Sequence, residues 1–316
     1  MATVSGQGTV FNLPNYTGEL YQVAPSDTPF LSAIGGLTGG ATTNSVEFEW
    51  QTEDLESTSV NNSKVEGAAA PTASGVSRAN VSNVVEIHQE AIEVSYTKQA
   101  AVGLHAGINN EEANPVRDEL SRQIDLKLRK VAVDVEKSFL TGVYAKPGTN
   151  ATPRTTRGIL TAITTNVFAN GGTPRAISKA IVDNALSAMF TAGSTLNQAS
   201  TVFMVGPAQK IALSNLYATA TLNQPTQTRN IGGVAVDTIV TDFGTFGVML
   251  NRWMPTGQIG ILDLAVCRPV WLATPNGTLF VEPLAKTGAS TKYQLYGEVG
   301  LEYGPEVYHG AIKDLS

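Results

Sequence analysis

The stretch that decides the fold runs from Val46 to Tyr96 and reads VEFEWQTEDLESTSVNNSKVEGAAAPTASGVSRANVSNVVEIHQEAIEVSY. Its two ends alternate. Val46, Phe48 and Trp50 share one face while Glu47, Glu49 and Gln51 share the other, and Ile92, Val94 and Tyr96 repeat the pattern on the return. A period of two marks a half-buried strand. Between Trp50 and Val84 the large apolar side chains are Leu55, Val60, Val65, Val76 and Val81, scattered among Ser, Asn, Thr, Ala and Glu. Such a segment buries too little apolar area to offset the entropy lost on ordering. A loop of this length inside a globular chain is either functional or disordered. The alternating flanks are expected to pair at its base, which makes it a hairpin that projects from the body and is completed by other molecules.

Upstream, residues 1–40 are dense in Gly, Asn, Pro and Thr, with Leu20, Tyr21, Val23, Phe30, Leu31 and Ile34 as scattered apolar anchors. Pro25 and Pro29 block a long helix, but Thr28 to Ile34 suits a short one, with Thr28 as cap and Pro29 at the first position. The region reads as an arm draped over something. Gly35-Gly36-Leu37-Thr38-Gly39-Gly40 lacks the strand before and helix after that a phosphate loop needs, and reads as a hinge at the base of the arm.

Downstream comes the strongest helical signal. From Asn114 to Leu140, Val116, Leu120, Ile124, Leu128, Val131, Val135 and Phe139 recur at spacings of four and three. At about 3.6 residues per turn they form one apolar stripe. Asn114-Pro115 is the expected start and Gly142 the expected stop. Asp118, Arg122, Asp125, Lys127, Arg129, Lys130, Asp134, Glu136 and Lys137 lie off the stripe and read as a solvated or interface face. Helices are then expected from Thr173-Pro174 to Thr191 and from Gly206-Pro207 to about Tyr217. Strands are expected at Thr201–Val205, Val234–Val240, Phe246–Asn251 and Gln258–Leu264. That alternation points to a compact α/β domain inserted after the long helix. A final long strand with Tyr293, Leu295, Val299, Leu301 and Tyr303 on one face is the natural partner of the strand ending at Tyr96.

The 316 residues allow one large domain or two modest ones. Only 15% are charged, below the usual quarter, which suits a surface largely covered by neighbours. A formal charge of -6 argues against a dedicated DNA binder. Cys267, the single cysteine, excludes an intrachain disulfide and, within Leu264-Ala265-Val266-Cys267, reads as a small buried hydrophobe. No apolar run approaches the ~18 residues that read as a membrane span. Met1 to Tyr21 lacks the basic start and apolar core of a signal peptide, so the expected place of synthesis and assembly is the cytoplasm.

Catalysis needs convergent titratable groups. His88, His105 and His309 are far apart, without metal-ligand spacing, and read as satisfied surface histidines. No nucleophile elbow, phosphate loop or dinucleotide fingerprint occurs. Glu53, Asp54 and Glu56 open the polar loop and read as a solvated run that can pair with a neighbour's basic groups. Arg154 and Arg157 suit a phosphate or, equally, an acidic patch on another subunit. No enzyme activity, metal or cofactor is expected.

The order of elements resembles the major capsid protein of tailed bacteriophages, the Hong Kong 97 fold: an α+β fold with an N-terminal arm, extended β-hairpin loop, long spine helix, peripheral domain and axial α/β domain. Leu20 to Leu31, with its Ser26-Asp27-Thr28-Pro29-Phe30-Leu31, is similar to that family's arm. Glu49 to Asp54 is similar to the entry into its extended loop. Val94 to Ala101 resembles the strand before the spine helix and Asp134 to Gly142 the end of that helix. Gly297 to Glu302 and Tyr308 to Ile312 resemble a closing segment.

The resemblance implies residues 1–40 as arm and 41–98 as extended loop with its strands. It implies 99–172 as peripheral domain with the spine helix at about 114–141, 173–290 as axial domain, and 291–316 as returning strand and C-terminus. It implies self-assembly as hexamers and pentamers into an icosahedral shell, a virion capsid around packaged double-stranded DNA. Portal, decoration and separate scaffolding proteins are the implied partners. Many relatives carry an N-terminal scaffolding segment removed by a protease, whereas this sequence opens on the arm, as expected of a mature form or a separate scaffold. Glu53, Asp54, Glu56, Lys64, Glu66, Arg78, Arg154 and Arg157 are the expected inter-subunit contacts. Some relatives crosslink a loop lysine to a neighbour's asparagine. Lys64 holds that place here, and an exposed lysine making transient ion pairs is the plainer reading. The alternative is a bacterial encapsulin, a compartment shell on the same fold.

Overall fold

The structure is a computed structural model and describes residues 22–56, 58, 62–100, 118–220, 228–231 and 234–316. Along the chain run a short helix α1 (Pro29–Ala33) and strands β1 (Ala41–Thr43), β2 (Glu47–Thr52), β3 (Ala79–Val84) and β4 (Glu86–Ser95). Then come a short α2 (Tyr96–Ala100), the long α3 (Glu119–Thr141), a short α4 (Ile159–Ala162) and β5 (Val167–Phe168). The next segment alternates: α5 (Lys179–Thr191), β6 (Thr201–Val205), α6 (Pro207–Ala220), β7 (Thr228–Ile231), β8 (Val234–Thr241), β9 (Gly244–Leu250) and β10 (Ile259–Asp263). The chain closes with β11 (Arg268–Leu272), β12 (Leu279–Pro283), β13 (Ser290–Glu302) and β14 (Gly310–Ile312).

Two units result. Among the described residues, the larger holds those within 28–88, 134–278 and 297–316, and the smaller 22–27, 89–100, 118–133 and 279–296.

The larger unit is built on a seven-stranded mixed sheet in the order β5-β14-β10-β6-β9-β8-β7. β6 lies at its centre, parallel to β9 and antiparallel to β10. Its Thr-Val-Phe-Met-Val is buried throughout, the unbroken apolar run of a strand covered on both faces. Val182, Ala185, Leu186 and Met189 of α5 and Leu213 of α6 pack on Phe203, Val205, Phe246, Val248, Ile259 and Ile261 of the sheet. Strands β5 and β14 come from outside 173–290, so the sheet draws on both ends of the second half of the chain. α5 begins at Lys179, later than Thr173-Pro174, because the backbone of Arg175 is engaged with Asp314 and Ser316 beside β14.

β11 pairs antiparallel with residues 299–302 of β13, and β1 lies parallel to β11. The glycine run before β1 is a tight, anchored turn and not a hinge. Gly40 has φ +99°, a Cβ there would lie 2.1 Å from the Pro269 carbonyl oxygen, and Trp271 Nε1 donates to Gly39 O at 3.2 Å.

In the smaller unit, α3 starts where Asp118 caps it. Asp118 Oδ1 accepts from the Leu120 and Ser121 amides at 3.0 and 3.3 Å. The hydrogen bond from the Ser121 hydroxyl, aided by those amides, holds the Asp118 carboxyl below its usual range. The expected cap at Asn114, and Val116 with it, lies outside the described residues. Glu90 of β4 pairs with Lys127, at 2.6 Å, and Lys130 of α3. β4 pairs with β13, as its alternation predicts, and Ser290 Oγ donates to Glu93 at 2.6 Å. Arg129 donates to the Gln22 side chain at 2.7 Å. Among the described residues no helix is long and apolar enough to cross a membrane.

Candidate functional site

The loop after Trp50 is narrower than its composition implies. β2 pairs antiparallel with β3, from Glu47 opposite Val84 to Thr52 opposite Ala79. The ladder's partner is therefore 79–84, and not the alternating strand that ends at Tyr96. The inward face of β3 carries Val81 and Asn83, and a buried asparagine hides the strand from a hydrophobic pattern. Asn83 is fully buried and fully bonded. Its Nδ2 donates to Leu301 O at 2.7 Å and Arg157 O at 3.2 Å, and its Oδ1 accepts from the Arg157 and Val84 amides at 2.8 and 2.9 Å. A buried polar group this well satisfied costs little and fixes register. On the facing strand, Trp50 meets Tyr303 edge-on at 4.9 Å and donates to Gly304 O at 3.0 Å. Phe48 lies so close to Gly300 that a Cβ there would fall 2.6 Å from its ring.

Beyond Thr52 the ladder stops. The described residues between 53 and 78 form no strand or helix and are exposed, and Leu55 and Val65 are 85% and 80% exposed. Arg78 pairs with Glu53 at 3.1 Å across the neck of the loop, both largely in solvent. Asp54, Glu56, Lys64 and Glu66 are likewise exposed. The site brings these six charges together on one segment, and Arg154 and Arg157 lie elsewhere.

Those two arginines work inside the larger unit and do not sit in a flexible loop. Arg154 Nε donates to Val85 O at 2.7 Å and its guanidinium pairs with Glu298. Arg157 stacks over the Tyr144 ring at 4.6 Å and donates to the Tyr303 hydroxyl at 3.2 Å. Nearby, the Lys146 hydrogen bond holds the Glu47 carboxyl below its usual range.

The short helix α1 is part of the body. Phe30 and Leu31 are 0% and 1% exposed, and their amides donate to Glu136 at 3.0 and 2.6 Å. Glu136 is itself completely buried, which corrects its placement on a solvated helix face. No sequence period distinguishes it from Lys137. Its only signal is the Thr28-Pro29 pair, which leaves two helix amides in need of an acceptor.

The histidines also differ from expectation. His88 is buried, not on the surface, because it shares the inward face of β4 with Ile92 and Val94. Burial pushes its imidazole down, against the pull of Glu86 and Asp134. His309 is buried as well; it accepts from the Asp263 amide through Nδ1 and meets Tyr303 O through Nε2. His105 lies outside the described residues. Cys267 is buried, its thiol pushed up by desolvation. Among the described residues no group of histidines, cysteines and carboxylates could hold a metal ion.

Comparison with known proteins follows the same lines. The major capsid protein of Escherichia phage Phieco32 is 24% identical over 331 residues, covering 89% of this chain and 88% of that one. The capsid asymmetric unit of cyanophage A-1(L) superposes with a TM-score of 0.67 at 14% identity, covering 98% of each chain. The SrpI encapsulin of Synechococcus elongatus PCC 7942 gives 0.59 at 12%, covering 97% of this chain and 93% of that one. At such identities the structural likeness speaks for the fold alone, the Hong Kong 97-like α+β fold. The model of the SU10 major capsid protein family matches residues 3–316, and the chain therefore belongs to that family: it is a phage major capsid protein.

Proposed function

We propose that copies of this chain assemble as hexamers and pentamers into a closed icosahedral shell around packaged double-stranded DNA, as a structural protein and not an enzyme. The loop 53–78 carries the reading. It is rooted in the larger unit by Asn83 and Trp50, yet it presents Leu55, Val65 and Val76 to solvent. Covering side chains of this kind is worth about 1.5–3 kcal/mol each, and a neighbouring copy supplies the cover. Closed symmetry repeats each modest contact around every ring, so the shell is strong although no single pair is. Glu53, Asp54, Glu56, Lys64, Glu66 and Arg78 are the loop's contacts to the neighbour. Arg154 and Arg157 support the β3–β13 surface from within and reach a neighbour only at its margin. The axial region around each capsomer centre is residues 173–290, and the arm before Thr28 runs to another copy.

With a formal charge of -6, the chain touches DNA without sequence preference. Scaffolding, portal and decoration proteins are separate partners, and assembly takes place in the host cytoplasm. Replacing 53–78 by a two-residue Asn-Gly turn between Thr52 and Ala79 preserves the ladder. The shortened chain is expected to fold and to form no closed particles under negative stain; normal particles would sink the proposal. Nucleic acid inside wild-type particles made during infection separates a phage shell from an encapsulin.

A further inference from the structure

The N-terminal arm changes from exposed to buried within a few residues. Gln22 to Pro25 are exposed, and Pro29, Phe30 and Leu31 are buried. The turn is made by α1, whose cap residue Thr28 makes no side-chain capping bond. Pro29 has no amide hydrogen to satisfy, so Phe30 and Leu31 hold the free donors of the first turn. Glu136, 105 residues away in sequence from Leu31, takes both. Its Oε1 also accepts from Asn251 Nδ2 at 2.6 Å. Asn251 is locked in turn: its amide donates to Val205 O at 2.8 Å, and its Oδ1 accepts from the Trp253 amide at 2.9 Å. One buried carboxylate thus ties the root of the arm, α3 and the turn after β9 into a single junction.

We propose that Glu136 is a positioning residue for assembly: it sets the direction in which the arm leaves the body, and so which neighbouring copy the arm reaches. A carboxylate is suited to this because it accepts at both oxygens with fixed geometry. A short apolar plug of Phe30 and Leu31 fixes depth but leaves rotation about the plug free, and two adjacent amides held by one carboxylate remove that rotation. The proposal rests on the shell function above.

Three full-length variants test it, each purified and assembled beside wild type. Glu136→Gln keeps volume and one acceptor but sets an amide donor against a donor. Asn251→Ala removes the third donor to Glu136 and leaves its carboxylate on the Phe30 and Leu31 amides. Val182→Ala, in the α5 core, is the control for lost stability alone. At a temperature where circular dichroism shows every variant folded, Glu136→Gln is expected to give at least tenfold fewer closed particles of wild-type diameter, with open or irregular assemblies instead. Asn251→Ala is expected to give closed particles to within about threefold of wild type, and the control to assemble normally. Uniform wild-type particles from Glu136→Gln would overturn the proposal. So would a Glu136→Gln chain that does not fold, a defect matched by Val182→Ala at equal thermal stability, or an equal defect in Asn251→Ala, which keeps both arm amides on the carboxylate. Wild type that forms no shells would instead overturn the proposed function.

Discussion

Residues 28–34 and residues 53–78 are both short of what a self-sufficient element needs, and the molecule treats them oppositely. The first has a helix of only five residues, too short to be stable alone. Its Phe30 and Leu31 fill the larger unit, and its free amides find Glu136. The second has a sound root, the β2–β3 ladder, but beyond that root its described apolar side chains meet solvent. A deficit of hydrogen-bond partners was met from within the chain; a deficit of apolar cover was not. For a shell protein that division has a physical logic. On the proposed assembly the root of the arm has to be fixed, whereas a loop that is to bind a neighbour has to keep its apolar surface uncovered until the neighbour arrives.

The contrast can be broken at several points. Phe30→Ala removes a fully buried ring and is expected to lower the stability of the unassembled chain by about 3–5 kcal/mol, measured by urea unfolding; a loss below about 1 kcal/mol would mean that α1 is not part of the core. A pH series comes next. Burial lowers the His88 and His309 imidazoles, so between their folded values and the unfolded value near 6.5 the unfolded chain binds protons that the folded chain does not. Stability is then greatest above pH 6.5 and falls as the pH drops through that window. His88→Leu is expected to flatten the fall between pH 7.5 and 5, with His309 keeping the remainder; an unchanged slope would place His88 in solvent.

Smaller effects sharpen the loop side. Arg78→Ala breaks an exposed pair with Glu53 and should cost at most about 1 kcal/mol, read from the same urea curves. Leu55→Ser should change folding stability by less than about 0.5 kcal/mol while reducing the yield of closed particles seen by light scattering. A large stability loss from Leu55→Ser would show that the loop already has cover within its own copy.

Much of the fold was legible because apolar period and turn chemistry act locally. The stripe through Val131, Val135 and Phe139 does line a helix with a buried face, and β6, β8, β9 and β10 lie within a residue or two of their expected places. Legibility failed where burial was polar. β3 escaped notice because Asn83 occupies its innermost position, and Glu136 looked like one more charge on a wet helix face. The start of α5 was misplaced because Thr173-Pro174 is a good local helix signal, but the backbone of Arg175 had a better partner in the strand edge beside Asp314. His88 was readable and misread: it keeps the same period as Ile92 and Val94.

The amino-acid order by itself determined that the chain would have a long amphipathic helix, an α/β sheet and a polar loop unable to fold alone, since each follows from spacing or composition within a few tens of residues. Only the tertiary structure decided which strand closes the hairpin and where the arm is fastened. Those choices depend on single hydrogen-bonding groups, Asn83 and Glu136, each with a partner more than a hundred residues away and no periodic trace in the sequence.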